Sequence, residues 1–136
     1  MDLEKQYSIE QIVKFIEHIY ETVNIYHTLI LYDDSVIKAN VLNDLINRLE
    51  KKDFPVGVYK DKDNDIDILE LHSRVIILDK KHFYTYVEKK NNDLTNITIM
   101  LCMDSISGKI LHDKLNENVD KIRFAEKMYI FSCNKV

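Results

Sequence analysis

Residues 28–35 read Thr-Leu-Ile-Leu-Tyr-Asp-Asp-Ser, a continuous apolar run that ends in two acids. Such a run is typical of a strand that is buried on both of its faces. Asp33, Asp34 and Ser35 are N-cap candidates, and residues 37–49 continue with apolar positions at helical spacing. A buried strand followed directly by an amphipathic helix indicates the first half of a βαβ unit.

The same alternation continues on both sides of this stretch. Upstream, Ser8 and Gln11 have the spacing of a capping box, and apolar residues behind them predict a helix within residues 1–24. Residues 66–71 fit either a helical turn or an edge strand. The remaining apolar runs predict strands at 55–59, 74–78, 97–102 and 127–131, and helices at 80–90 and from 104 or 105 onward.

Strands that alternate with amphipathic helices predict a mainly parallel sheet with helices on both faces. We therefore expect an α/β fold with a doubly wound, three-layer architecture and a five-stranded sheet of flavodoxin-like shape. The chain of 136 residues has room for one domain, residues 1–136. Its βα core would span residues 28–132, preceded by the extra helix of residues 1–24.

Composition narrows the class of protein. With 46% hydrophobic residues, a net charge of −4 and two cysteines, the chain is expected to be intracellular and cytoplasmic, without a membrane or nucleic-acid partner. Sixteen lysines against three arginines indicate a low-GC genome, such as a viral one. Gly57 and Gly108 are the only glycines, so the sequence contains neither a P-loop motif nor a glycine-rich dinucleotide-binding motif.

Acidic residues follow two of the predicted strands. Asp33 and Asp34 come after the first strand, and Asp79 ends the strand of residues 74–78. Ligands of open parallel sheets bind at the carboxyl ends of the strands, and clustered carboxylates suit a hard cation such as Mg²⁺. Aspartates directly before helices are also ordinary N-caps. The sequence therefore leaves two interpretations open, a divalent-cation pocket and a set of helix caps.

These segments resemble the receiver domains of bacterial response regulators. Residues 29–35 are similar to the receiver strand that ends in paired Mg²⁺-binding acids, and Val75-Ile-Ile-Leu-Asp79 is similar to the strand of the phospho-accepting aspartate. The resemblance implies that Asp33 and Asp34 hold Mg²⁺ and that Asp79 is a cation ligand or a vestigial phosphoryl acceptor. Cys102 and Ser132 stand where receivers carry a hydroxyl residue and an essential lysine, which implies poor phosphoryl chemistry.

We therefore expect a non-catalytic regulatory or protein-interaction domain of receiver-like shape, with Mg²⁺ as the candidate ligand of its acidic pocket and another protein or a second copy of the chain as its partner. Two alternatives stay open. The first is a small Mg²⁺-dependent phosphoryl-transfer enzyme or hydrolase that uses the same carboxylates. The second follows from residues 74–83, which resemble a degenerate Walker B segment of superfamily-2 helicases with Lys80 at the catalytic glutamate position. It implies an assembly subunit without a P-loop.

Overall fold

The computed structural model describes residues 8–22, 27–33, 38–59, 65–94, 97–102, 105–117, 123–124 and 128–131. Its helices are α1 (Ile9–Thr22), α2 (Ala39–Lys51), α3 (Ile66–His72), α4 (Phe83–Lys89) and α5 (Ser105–Asn116), with a 3-10 turn at Lys80–His82. Its strands are β1 (His27–Tyr32), β2 (Val56–Val58), β3 (Val75–Asp79), β4 (Asp93–Leu94), β5 (Ile97–Cys102), β6 (Arg123–Phe124) and β7 (Met128–Phe131). The predicted alternation of helices and strands is confirmed, and the ambiguous segment of residues 66–71 is helical.

Strands β2, β3 and β1 form a parallel sheet in that spatial order. The register of β1 on β3 runs from Thr28 opposite Val75 to Tyr32 opposite Asp79. Strand β2 lies on the other side of β3, with Val56 opposite Val75. The predicted α/β class with a parallel sheet is therefore confirmed.

The strand order corrects the flavodoxin-like part of the prediction. In that order the first strand lies between the second and the third. Here β3 lies between β1 and β2, so the flavodoxin-like arrangement that the receiver resemblance implied is wrong for these three strands. The physical reason is that apolar runs such as residues 28–31 and 75–78 specify burial on both faces. They do not specify which neighbour each strand pairs with.

Two sets of helices cover the two faces of the sheet, because successive side chains of a strand point to opposite sides. Leu29, Leu31 and Leu78 share one core cluster with residues of α3 and α4. Ile30 and Ile77 share the other cluster with residues of α1 and α2. Helix α1 therefore packs on the sheet beside α2. Each fully buried aliphatic side chain of this kind contributes roughly 1.5–3 kcal/mol to folding.

The helix starts show which capping predictions hold. The Ser8 Oγ accepts from the Gln11 amide at 3.2 Å and the Gln11 Oε1 accepts from the Ser8 amide at 2.8 Å, so the predicted capping box of α1 is confirmed. Helix α2 begins at Ala39 with Lys38 as its N-cap, which makes the prediction of Asp33 as its cap wrong. Asp34 and Ser35 lie outside the described residues. Ser105 is the first residue of α5, and its neighbour Asp104 is also outside them.

Gly57 allows α3 to approach the sheet closely. A Cβ atom at this position of β2 would overlap the Ser73 Oγ and lie 2.6 Å from the Leu69 Cδ1. Both atoms belong to α3 or to the residue that follows it. Because Gly57 has no side chain, α3 can pack closely on β2.

Candidate functional site at the carboxyl ends of the strands

The structure brings two of the three predicted site residues to one edge of the sheet. Asp79 is opposite Tyr32 in the parallel register, and Asp33 follows Tyr32 directly. Asp33 is 4% exposed and Asp79 is 6% exposed. Asp34, the third predicted ligand, lies outside the described residues. A buried carboxylate needs a charged or hydrogen-bonding partner to offset its desolvation, so the neighbours of Asp33 and Asp79 decide what this edge can do.

Two lysines of the chain supply that charge. The Lys80 Nζ lies 2.9 Å from the Asp33 Oδ2. The Lys81 Nζ lies 3.7 Å from the Asp79 Oδ2, and the Lys81 amide donates to the Asp79 Oδ1 at 3.1 Å. Both lysines belong to the 3-10 turn that continues directly from β3. A positively charged side chain of the protein therefore lies beside each of the two buried acids, so neither acid needs a bound ligand to offset its charge.

The two acids have different structural roles. Asp79 is the N-cap of the 3-10 turn, as the capping interpretation of the sequence expects for such an acid. Asp33 is not the N-cap of α2, which is Lys38, and its carboxylate links the end of β1 to the turn that follows β3. That link crosses between neighbouring strands, so it fixes Lys80 over the edge where ligands of parallel sheets usually bind.

The arrangement is charge-balanced within the described part of the chain. There, no three side chains of His, Cys, Asp and Glu come together as a metal-ligand group. Every buried side-chain nitrogen or oxygen of the described residues has a hydrogen-bond partner. Mg²⁺ is often held by one or two carboxylates and several waters. A cation at this edge would therefore have to compete with the Lys80 ammonium for the Asp33 carboxylate.

Lys80 and Lys81 are the site residues that sequence reasoning missed. Helical periodicity assigned residues 80–90 to one amphipathic helix, on which these lysines would face the solvent. Their position in the sequence could have revealed them. Residues that directly follow a parallel strand lie at the same edge of the sheet as the acids that follow the neighbouring strand. The turn at residues 80–82 is 3-10 rather than α-helical, and α4 begins only at Phe83.

A second polar cluster lies near the amino ends of the strands and joins α3 to α4. The Lys90 Nζ lies 2.8 Å from the Glu70 Oε1, and the Tyr86 hydroxyl donates to the same oxygen at 3.1 Å. The ring of His27, at the start of β1, contacts the Glu70 carbonyl oxygen at 2.8 Å. Burial raises the pKa of Tyr86 well above its ordinary value, and the charge and hydrogen bond of Glu70 raise it further. This cluster joins α3 to α4 and to the start of β1.

Comparison with protein-family models, curated proteins and solved structures finds no significant match to this chain. The receiver and helicase resemblances thus gain no support from a relative. No helix among the described residues combines the length and the apolar content that crossing a bilayer requires.

Proposed function

We propose that this chain is a non-catalytic regulatory or protein-interaction domain. The ion pair between Asp33 and Lys80, at 2.9 Å, carries the proposal. It places a cation of the protein itself where the receiver resemblance puts Mg²⁺, and Asp79 is similarly engaged by Lys81. An edge whose carboxylates are already neutralised is built to hold strands and turns together, and it gives a partner protein a fixed surface.

The proposal includes the larger architecture expected from the sequence, a single domain with a five-stranded sheet. Strands β5 and β7 would extend the sheet on the free side of β1. The parallel register of His27 with Ile97 and of Tyr32 with Cys102 supports the first addition, and that of Cys102 with Phe131 supports the second. The connection that follows β1 and the connection that follows β5 would then run toward opposite edges of the sheet. Asp33 would lie at this topological switch point, the usual ligand position of such sheets.

One observation favours the Mg²⁺-dependent phosphoryl-transfer enzyme or hydrolase as a second candidate. An enzyme at this edge would require a cationic group beside its carboxylates to stabilise charge that develops on a transferred phosphoryl group. Lys80, with 44% of its side chain exposed, is such a group. In this candidate the lysine would release Asp33 to the metal ion when substrate binds.

A Mg²⁺ titration of the thermal midpoint separates the two candidates. If the lysines are structural partners, Mg²⁺ leaves the midpoint of the wild type, Asp33→Asn and Asp79→Asn unchanged. A real cation site at 100 times its dissociation constant would add about 2.7 kcal/mol, which raises the midpoint by several degrees. That gain would be lost in both variants.

Two further variants make this experiment specific. Lys80→Met removes the competing ammonium, so it would strengthen the Mg²⁺ response if a cation site exists and would leave it at zero if none does. Asp44→Asn is the matched control, because Asp44 is an exposed acid on α2 that pairs with Arg48 far from the sheet edge. A midpoint that rises with Mg²⁺ in the wild type, Asp44→Asn and Lys80→Met, but not in Asp33→Asn or Asp79→Asn, would overturn the proposal and favour the enzyme.

A further inference from the structure

A groove between α1 and α2 is lined mainly by long charged side chains, four of which are cationic. Val13, which is 4% exposed, lies among its lining residues, together with Lys14, Arg48, Lys51 and Lys52. The groove measures about 210 Å³. Pockets for small molecules usually measure roughly 300–1,000 Å³, so this groove suits one or two aliphatic side chains better than a metabolite.

The groove carries excess positive charge on a chain whose net charge is −4. Asp44, outside the lining, pairs with Arg48 at 3.0 Å, and two acids, Glu10 and Glu17, line the groove with the four cations. The ion pairs of these two glutamates are long, with Lys14 to Glu10 at 3.4 Å and Lys52 to Glu17 at 3.8 Å. Exposed pairs of this kind contribute little to stability, so they exchange readily for an acid of a partner.

Helix α3 presents side chains of the complementary kind. Ile68 is 57% exposed and Leu71 is 78% exposed, three residues apart and therefore on one face of the helix. Asp67, which is exposed as well, lies four residues before Leu71. The opposite face of α3 is buried, because Ile66 and Leu69 belong to the core cluster under α3 and α4. The exposed face is therefore a rigid combination of one acid and two aliphatic side chains.

We infer that α3 of one copy of this chain docks into the groove between α1 and α2 of a second copy. Ile68 and Leu71 would pack on the aliphatic stems and Val13, and Asp67 would pair with the cations that line the groove. The inference rests on the proposed function and names the partner of that interaction domain as the chain itself. Charge complementarity between the cationic groove and the acid-bearing helix is the argument for this occupant.

The two surfaces cannot meet within one copy, because α3 and the pair α1 and α2 cover opposite faces of the sheet. The contact is therefore head-to-tail: each added copy leaves one groove and one helix open. Such a heterologous interface produces assemblies larger than dimers, either closed rings or open chains. Its electrostatic part weakens as salt shortens the screening length from about 10 Å at 0.1 M to about 3 Å at 1 M.

Sedimentation velocity over a range of protein concentrations tests this interface with two double variants. Asp67→Lys with Leu71→Lys disables the helix, and Lys14→Glu with Lys51→Glu disables the groove. We expect the wild type to form assemblies beyond the dimer at low salt, and each double variant to associate at least about tenfold more weakly. A mixture of the two double variants retains one intact groove and one intact helix, so it should give a 1:1 complex and nothing larger.

Matched controls on α5 distinguish the interface from a general effect of charge. Ile106, 73% exposed, is the control for Leu71 as Ile106→Lys, and Lys109→Glu is the control for the groove lysines. Both should assemble like the wild type. A wild type that stays monomeric at every concentration, or assemblies that persist in either double variant, would overturn the inference. A monomeric chain that ignores Mg²⁺ would leave the proposed function standing with a different partner, whereas a Mg²⁺ response would overturn that function independently.

Discussion

The two ends of the parallel strands are built differently. At the carboxyl ends, the polar contacts of the described residues join Asp33 and Asp79 to two lysines of the turn after β3. At the amino ends, polar contacts join helices to one another and to a strand: the Glu70 side chain of α3 pairs with Lys90 at the end of α4, and the Glu70 carbonyl oxygen contacts the His27 ring of β1. The amino ends therefore hold helices on the sheet, whereas the carboxyl ends link β1 to the turn that follows β3.

Arg74 shows how the amino end joins α1 to the sheet. The Tyr20 hydroxyl donates to the Arg74 carbonyl oxygen, 54 residues away in sequence, and the Arg74 guanidinium lies 4.4 Å from the centre of the Tyr20 ring. The Tyr20 ring in turn stacks on Phe54 with centroids 5.2 Å apart. Burial raises the pKa of Tyr20, partly offset by the Thr28 hydrogen bond and by Arg74. The amino end therefore combines a hydrogen bond, a cation–π contact and ring stacking.

The largest expected effect comes from breaking the amino-end cluster at Glu70. Glu70→Ala would leave the Lys90 ammonium and the Tyr86 hydroxyl without their shared partner, and the Tyr86 side chain is fully buried. We expect the free energy of unfolding in urea to fall by about 2–3 kcal/mol. Glu88→Ala, on the exposed face of α4, is the control and should change it by less than about 0.5 kcal/mol. Equal losses in both variants would contradict a special role for Glu70.

A smaller effect is expected at alkaline pH. The folded state raises the pKa of Tyr86, so its phenol keeps its proton at pH values where the unfolded chain has already lost it. The stability from this group is therefore complete below about pH 10 and decreases above it, by at most about 1.4 kcal/mol per pH unit. Tyr86→Phe should lower stability at neutral pH by about 1 kcal/mol and flatten this alkaline decrease. Urea unfolding from pH 8 to 11 measures both, and an unchanged slope would contradict the assignment.

The fold was largely predictable because burial and helix caps leave local signals. Each of these signals, namely the apolar runs of β1 and β3, the stripe of α1 and the capping box at Ser8, is contained in one short stretch of sequence. The strand order was not predictable in the same way. Whether β3 pairs with β2, with β1 or with both depends on connections of more than ten residues, and similar apolar runs fit each arrangement.

The candidate site was predictable only in part for a related reason. That Asp33 and Asp79 would share an edge followed from parallel strands, whichever order the strands took around them. The partner of Asp33 did not follow, because the Lys80 side chain reaches it only through the 3-10 turn at the end of β3. The Glu70 cluster is equally invisible in the sequence, since Lys90 lies 20 residues from Glu70 and His27 lies 43 residues from it.

The smallest expected effect is at the carboxyl end, at the ion pair between Asp33 and Lys80. Asp33→Asn keeps the shape and one hydrogen-bond acceptor of the side chain, and Lys80, already 44% exposed, can be hydrated once its partner loses its charge. We expect a loss of less than about 1 kcal/mol in urea, well below that of Glu70→Ala. A loss as large as that of Glu70→Ala would mean that the Asp33–Lys80 pair holds the fold as firmly as the amino end does. A small loss means that the Glu70 cluster at the amino end contributes more to the stability of the fold than the Asp33–Lys80 pair does.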